Sequence, residues 1–164
     1  SAASDVYKRQ DLLRVLLLGV GQGAQGAVYP LFRMVPDGAG VHDDHVRALG
    51  AAVAQMCALG AHPADIRAAI GPGIGACCFE VGPEVVAAAE ALLHEPLGTL
   101  VRPRADGKAL LDLKGVNARR LAQLGVPAEQ IAVSDACTMC RPDVFWSHRA
   151  TDGRRGVQAA VITL

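Results

Sequence analysis

The chain predicts a single-domain α/β or α+β fold, and three observations carry that expectation. Short apolar runs of strand length alternate with stretches in which apolar residues recur every three or four positions. Hydrophobic residues make up 51% of the 164 while aromatics make up 4%, so the core is expected to consist of Ala, Val, Leu and Ile. The length suits one domain.

The elements read as follows in chain order. Asp11 to Leu18 is expected to be a short buried strand. Gly19 to Gly26 (GVGQGAQG) is a flexible turn rather than a phosphate cradle, since it lacks the Lys-Ser/Thr of a P-loop. Ala27 to Val35 is a second strand, ended by Pro36-Asp37-Gly38. From Asp43 or Asp44 the residues Val46, Leu49, Val53, Met56 and Cys57 fall at helical steps, and Gly60 closes that helix. Ile66 to Ile70 is a strand leading into the rigid turn Gly71 to Gly75. Pro83 opens a second helix running to His94. Asp112 caps a third that ends at Leu124, with Gly125 just beyond it. Ile131 to Ser134 and Val157 to Leu164 are expected strands.

Charge and cysteine usage narrow the function classes. Sixteen basic residues balance 16 acidic ones, and a nucleic-acid arm or membrane-surface patch needs a basic excess. Neither partner is expected. No apolar run approaches the ~18 residues of a transmembrane helix. The first ten residues, SAASDVYKRQ, carry no apolar signal region. Residues 1–10 are expected to be a scar outside the domain, which then occupies 11–164 as an incomplete chain. The five cysteines are an odd number without the spacing of small secreted proteins, which points to a reduced, cytoplasmic setting.

Several groups have chemistry available to them. Cys137 and Cys140 form a CxxC, whose thiolates can share a metal or cycle through a disulfide. A structural zinc wants a second pair, and Cys77-Cys78, being adjacent, make a poor chelate. The expectation is therefore incidental thiols. His42 and His45 flank two carboxylates at a spacing that can share one helix face, although an acidic helix start explains them equally. His62 and His94 read as structural or solvated. Phe145-Trp146-Ser147-His148-Arg149 is dense in groups that can hold an anion or stack on a base, or else forms an amphipathic strand.

Ile70 to Gly82 (IGPGIGACCFEVG) closely resembles the IGPxIGxCCYEVG stretch of one family. Its members are called multicopper polyphenol oxidase (laccase-like) proteins, purine nucleoside phosphorylases or peptidoglycan editing factors. The resemblance continues in order through Leu111-Asp112-Leu113 with Asn117, Cys137-Thr138, Phe145 to Arg149, and Gly156 with Gln158-Ala159. It covers roughly residues 44–164.

The resemblance implies an α+β fold of α/β/β/α layers with mixed sheets, similar to the catalytic domain of the cytotoxic necrotizing factor toxins. It also implies phosphorolysis of adenosine, inosine and methylthioadenosine, or deamination of adenosine, with zinc or copper as cofactor. The partners would be a purine nucleoside and phosphate. Ser147 and Arg149, with the glycines Gly71, Gly73 and Gly75, are the expected substrate contacts.

The family's metal ligands are a His in a QxHG-like segment, a Cys in ADCxPVLL and a His in HAGWRG. Here Leu12 stands at the Cys position and Gly38 at the last His position, and the QxHG segment is absent. No metal is therefore expected at the family position, with His42 or His45 as possible substitutes joined by Cys77, Cys78 or Cys137. Ala150 and Val157 replace family arginines, leaving Arg149, Arg154 and Arg155 for anions. Two alternatives stay open beside the nucleoside enzyme: a copper-dependent polyphenol oxidase, and a non-catalytic remnant.

Overall fold

The computed structural model describes residues 15–18, 43–152 and 154, with side chains from Leu49 onward. The expected strands over 27–35 and 157–164, the GVGQGAQG turn, Leu12, Gly38, His42, Arg155 and the Gly156–Ala159 motif lie outside the described residues. The described elements run β1 (Val15–Leu18), α1 (Asp43–Ala58), β2 (Arg67–Ile70), β3 (Glu80–Val81) and α2 (Pro83–Leu93), followed by β4 (Val101–Pro103), β5 (Ala109–Leu111), α3 (Leu113–Gln123) and β6 (Ile131–Val133). Parallel and antiparallel pairings occur together with helices, so the fold is mixed α+β.

The helices form where periodicity and caps predict them. Leu49, Val53 and Met56 on α1 are buried at steps of four and three, the stripe one helix face presents to a core. Both expected terminal glycines close their helices in the same way. The N–H of Gly60 donates to the Cys57 carbonyl and that of Ala61 to the Met56 carbonyl, each at 3.0 Å. The N–H of Gly125 reaches the Ala122 carbonyl at 3.0 Å and that of Val126 the Leu121 carbonyl at 3.1 Å. These paired bonds are the Schellman arrangement, which needs a left-handed residue, and Gly60 and Gly125 have φ of 99° and 94°. At the other end of α3 the Asp112 carboxylate accepts from the Gly115 N–H at 3.0 Å. Helix α2 opens on Pro83 as expected and ends one residue before His94, an exposed residue in the left-handed region at φ 54°.

The first sheet has the order β1-β2-β6, with β1 antiparallel and β6 parallel to β2. The second has the order β3-β5-β4 and is antiparallel across its described strands, where mixed pairing was expected. Its strands of two and three residues are too short to show an alternating pattern, and the sequence reading did not find them.

Two apolar clusters form the core. One joins α1, β2 and Leu121 of α3; the other joins β3, α2, β5 and Val116 of α3. Helix α3 therefore packs into both, and its polar side chains tie it to α2. The Gln123 amide donates to the Leu93 carbonyl at 2.8 Å, satisfying one of the acceptors a helix end leaves open.

Candidate functional site

Parallel β2 and β6 send their continuing chains out at the same end of the sheet. There the two segments stay zipped together. The Ser134 N–H donates to the Ile70 carbonyl at 2.8 Å, Gly73 and Cys137 form a parallel bridge, and the Thr138 N–H donates to the Gly73 carbonyl at 3.0 Å. Each segment then makes one helical turn. The Cys78 and Phe79 N–H groups both donate to the Gly75 carbonyl at 2.9 Å, and the Arg141 N–H donates to the Cys137 carbonyl at 3.1 Å.

These turns bring four thiols together. The Sγ atoms of Cys77, Cys78, Cys137 and Cys140 all lie within 4.8 Å of one another. Cys140 Sγ stands 3.5 Å from Cys77 Sγ and 3.4 Å from Cys78 Sγ, and all four thiols are free. The adjacent pair, expected to make a poor chelate, thus faces the CxxC pair in one cluster. Neighbouring side chains on a helical turn diverge by ~100°, so Cys77 and Cys78 approach Cys140 from two directions. The other expectation, incidental thiols, treated each turn alone, and only the pairing of distant segments shows the cluster.

Gly75 makes the close approach possible. A Cβ there would stand 3.2 Å from Cys137 Cβ and 3.3 Å from Cys77 Sγ. Its N–H donates to Cys137 Sγ at 3.2 Å. Burial pushes the Cys137 thiol up, but N–H donation from Gly75, Cys140 and Met139 and a bond from Cys77 prevail and bring it to about 7. Cys77 and Cys78 move the other way, raised by burial of their sulfurs and by the Cys140 thiol beside them.

Of the expected substrate residues, Gly73, Gly75 and Arg149 adjoin this cluster. Gly71 is half-buried and Gly73 and Gly75 are buried, so the glycine turn is the wall on which the thiols sit. Arg149 reaches back across the chain. Its Nη1 donates to the Glu80 carbonyl at 3.0 Å and the Cys78 carbonyl at 3.5 Å, and its guanidinium carbon lies 5.4 Å from the Phe79 ring centroid. Ser147 is 1% exposed; its hydroxyl accepts from the Ala150 N–H at 3.3 Å, and its carbonyl accepts from Thr151. The segment is therefore a chain of turns rather than the amphipathic strand held as the alternative. Trp146 is exposed beside it, and Arg154 is exposed at its end.

The remaining candidates fall elsewhere. His45 lies in the first turn of α1. His62 is exposed, and its Nδ1 accepts from the Ala64 N–H at the start of a 3₁₀ turn, the structural role expected of it. Lys114 carries no sequence motif that signals a role at this site. It is 5% exposed, and its ammonium donates to the Ser134 and Ala136 carbonyls, fixing the segment that leads to Cys137. Nothing but its place in the first turn of a capped helix hints at that role.

The expectation of no metal at the family position rests on Leu12 and Gly38, which precede the matched residues 39–164 and lie outside the described ones. Leu12 and Gly38 carry no atom that can coordinate an ion. Among the described residues the four thiols are the one cluster with the ligands for a metal. No helix among the described residues is long and apolar enough to cross a membrane.

The family model described as multi-copper polyphenol oxidoreductase laccase matches residues 39–164. Over 100 residues the chain is 40% identical to purine nucleoside phosphorylase YlmD of Geobacillus stearothermophilus, covering 61% of this chain and 36% of that protein. Over 99 residues it is 42% identical to adenosine deaminase RL5 of an unknown prokaryotic organism, covering 60% and 38%. The crystal structure of the Bacillus licheniformis hypothetical protein YfiH superposes with a TM-score of 0.64 at 32% identity, over 88% of this chain and 51% of that one. The chain thus spans between about a third and a half of the relatives it matches.

Proposed function

Because the chain belongs to the multi-copper polyphenol oxidoreductase laccase family, we propose that it is part of a purine nucleoside phosphorylase or adenosine deaminase acting on adenosine, inosine and methylthioadenosine. The supporting observation is the junction of Phe79, Glu80 and Arg149. A permanent positive charge is anchored there to the backbone that leaves the glycine turn. Relatives named as purine nucleoside phosphorylase and adenosine deaminase give the substrate class.

Within this reading Arg149 neutralises phosphate charge or the leaving purine's acceptors. The glycine turn lets backbone N–H groups approach the nucleoside closely. Exposed Trp146 offers a flat apolar face for a purine ring. Ser147, buried, holds the turn that presents Arg149 and so acts on the substrate through Arg149. Zinc or copper would supply Lewis-acid chemistry in this family; Leu12 and Gly38, read as standing at its ligand positions, have no donor atom, and no step is assigned to the metal.

The test is inosine with and without inorganic phosphate, following hypoxanthine. Phosphate-dependent hypoxanthine release is the expected result, with ammonia from adenosine for the deaminase activity. Oxygen consumption on phenolic substrates with copper would favour the oxidase instead. Inosine binding by calorimetry without turnover would mark a non-catalytic remnant.

A further inference from the structure

We propose that Cys77, Cys78, Cys137 and Cys140 bind one zinc ion as a four-thiolate structural site that clamps the turn after β2 to the turn after β6. This site shares no residue with the family's His and Cys positions.

The geometry fits a single tetrahedral ion. Zinc–sulfur bonds of ~2.3 Å place sulfurs ~3.8 Å apart along the edges of a regular tetrahedron. The sulfur contacts of 3.4 and 3.5 Å, with every pair inside 4.8 Å, bracket that edge. Small side-chain rotations would centre an ion among them.

The donor set is uniform and soft. Four sulfurs with no carboxylate or imidazole among them select zinc over calcium, magnesium or manganese. Four protein ligands also close the coordination sphere, which marks a structural site rather than a catalytic one. The Gly75 N–H on Cys137 Sγ supplies the outer-shell hydrogen bond such ligands require.

A disulfide explains the cluster less well. Cys140 stands equally near Cys77 and Cys78, so no pair is singled out, and any one bond would strand two thiols. Each segment instead brings its pair of sulfurs on one helical turn, with a bridge between Gly73 and Cys137 joining the two segments. Clamping these turns also fixes the Cys78 carbonyl that receives Arg149.

The reduced, chelator-treated chain is titrated with cobalt(II) and then zinc. One cobalt per chain, with thiolate-to-cobalt charge-transfer absorption and tetrahedral visible bands that zinc displaces, is the expected result. The Cys77→Ser, Cys140→Ser double variant should lose these bands, while Cys57→Ser, outside the cluster, should keep them. As a readout that needs no substitution, zinc should protect four of the five thiols of the unaltered chain from alkylation, read by mass spectrometry. The proposal is overturned if reduced chain shows no charge-transfer band, if the band survives the double substitution, or if zinc protects no thiols.

Discussion

The Arg149 guanidinium lies 5.4 Å from the centroid of the Phe79 ring and donates to the carbonyls of Cys78 and Glu80, the residues on either side of that ring. One cation therefore grips three consecutive residues from about 70 positions away, pairing a ring face with two bonds donated by Nη1. Lysine lacks the guanidinium plane. Arg149→Lys should cost about 1–2 kcal/mol of stability, from the cation–π contact and one charge-assisted hydrogen bond. Equilibrium urea unfolding measures it; equal midpoints and slopes for the two proteins would show that the contact contributes nothing.

The cap of α3 gives a second expectation. Asp112→Ala removes the acceptor for the Gly115 N–H and should lower stability by about 1 kcal/mol. Asp112→Asn keeps an oxygen in place and should recover most of that loss. A pair of variants with identical losses would assign the effect to the charge rather than to the hydrogen bond.

Two glycines should respond to alanine with opposite signs. Gly50 lies within α1 with nothing within 4 Å of an added Cβ, so Gly50→Ala should stabilise by about 0.5–1 kcal/mol through helix propensity and reduced unfolded-state freedom. Gly125 has φ of 94°, and a Cβ there would meet Pro63 Cβ at 3.0 Å, so Gly125→Ala should destabilise by about 1 kcal/mol or more. Thermal melting of the two variants side by side reads both signs.

What the sequence made visible divides along the range of the interaction. The three helices, the Asp112 cap and the two terminal glycines depend on residues within four positions of one another, and periodicity with capping chemistry exposes them. Strands β3, β4 and β5 owe their existence to one another. At two or three residues each they hold too little pattern to stand out. The thiol cluster is the extreme case. Cys77-Cys78 and the CxxC each stand out locally, yet their union depends on β2 pairing with β6 and on Gly73 bridging Cys137. The one available signal was four cysteines in two close pairs, with no secreted-protein spacing to explain them. The family resemblance points to Arg149, but its grip on Phe79 joins residues about 70 positions apart and leaves no local trace.

The last expectation concerns the contact that lets the two turns meet. An added Cβ at Gly75 stands 3.2 Å from Cys137 Cβ and 3.3 Å from Cys77 Sγ, distances at which one neighbour must give way. The Cys137 side is held by the Gly73 bridge and by Lys114 on the Ser134 and Ala136 carbonyls, so the Cys77 turn is the part that moves. Gly75→Ala should therefore spread the sulfurs and weaken cobalt(II) binding by roughly 10–100-fold, the range seen when the surroundings of metal ligands are disturbed. Its folded core should survive, because the core cluster on that side is built mainly from β3, α2 and β5. Cobalt titration beside circular dichroism separates the two effects. Unchanged cobalt affinity in a well-folded Gly75→Ala chain would mean that the thiols do not depend on this close approach.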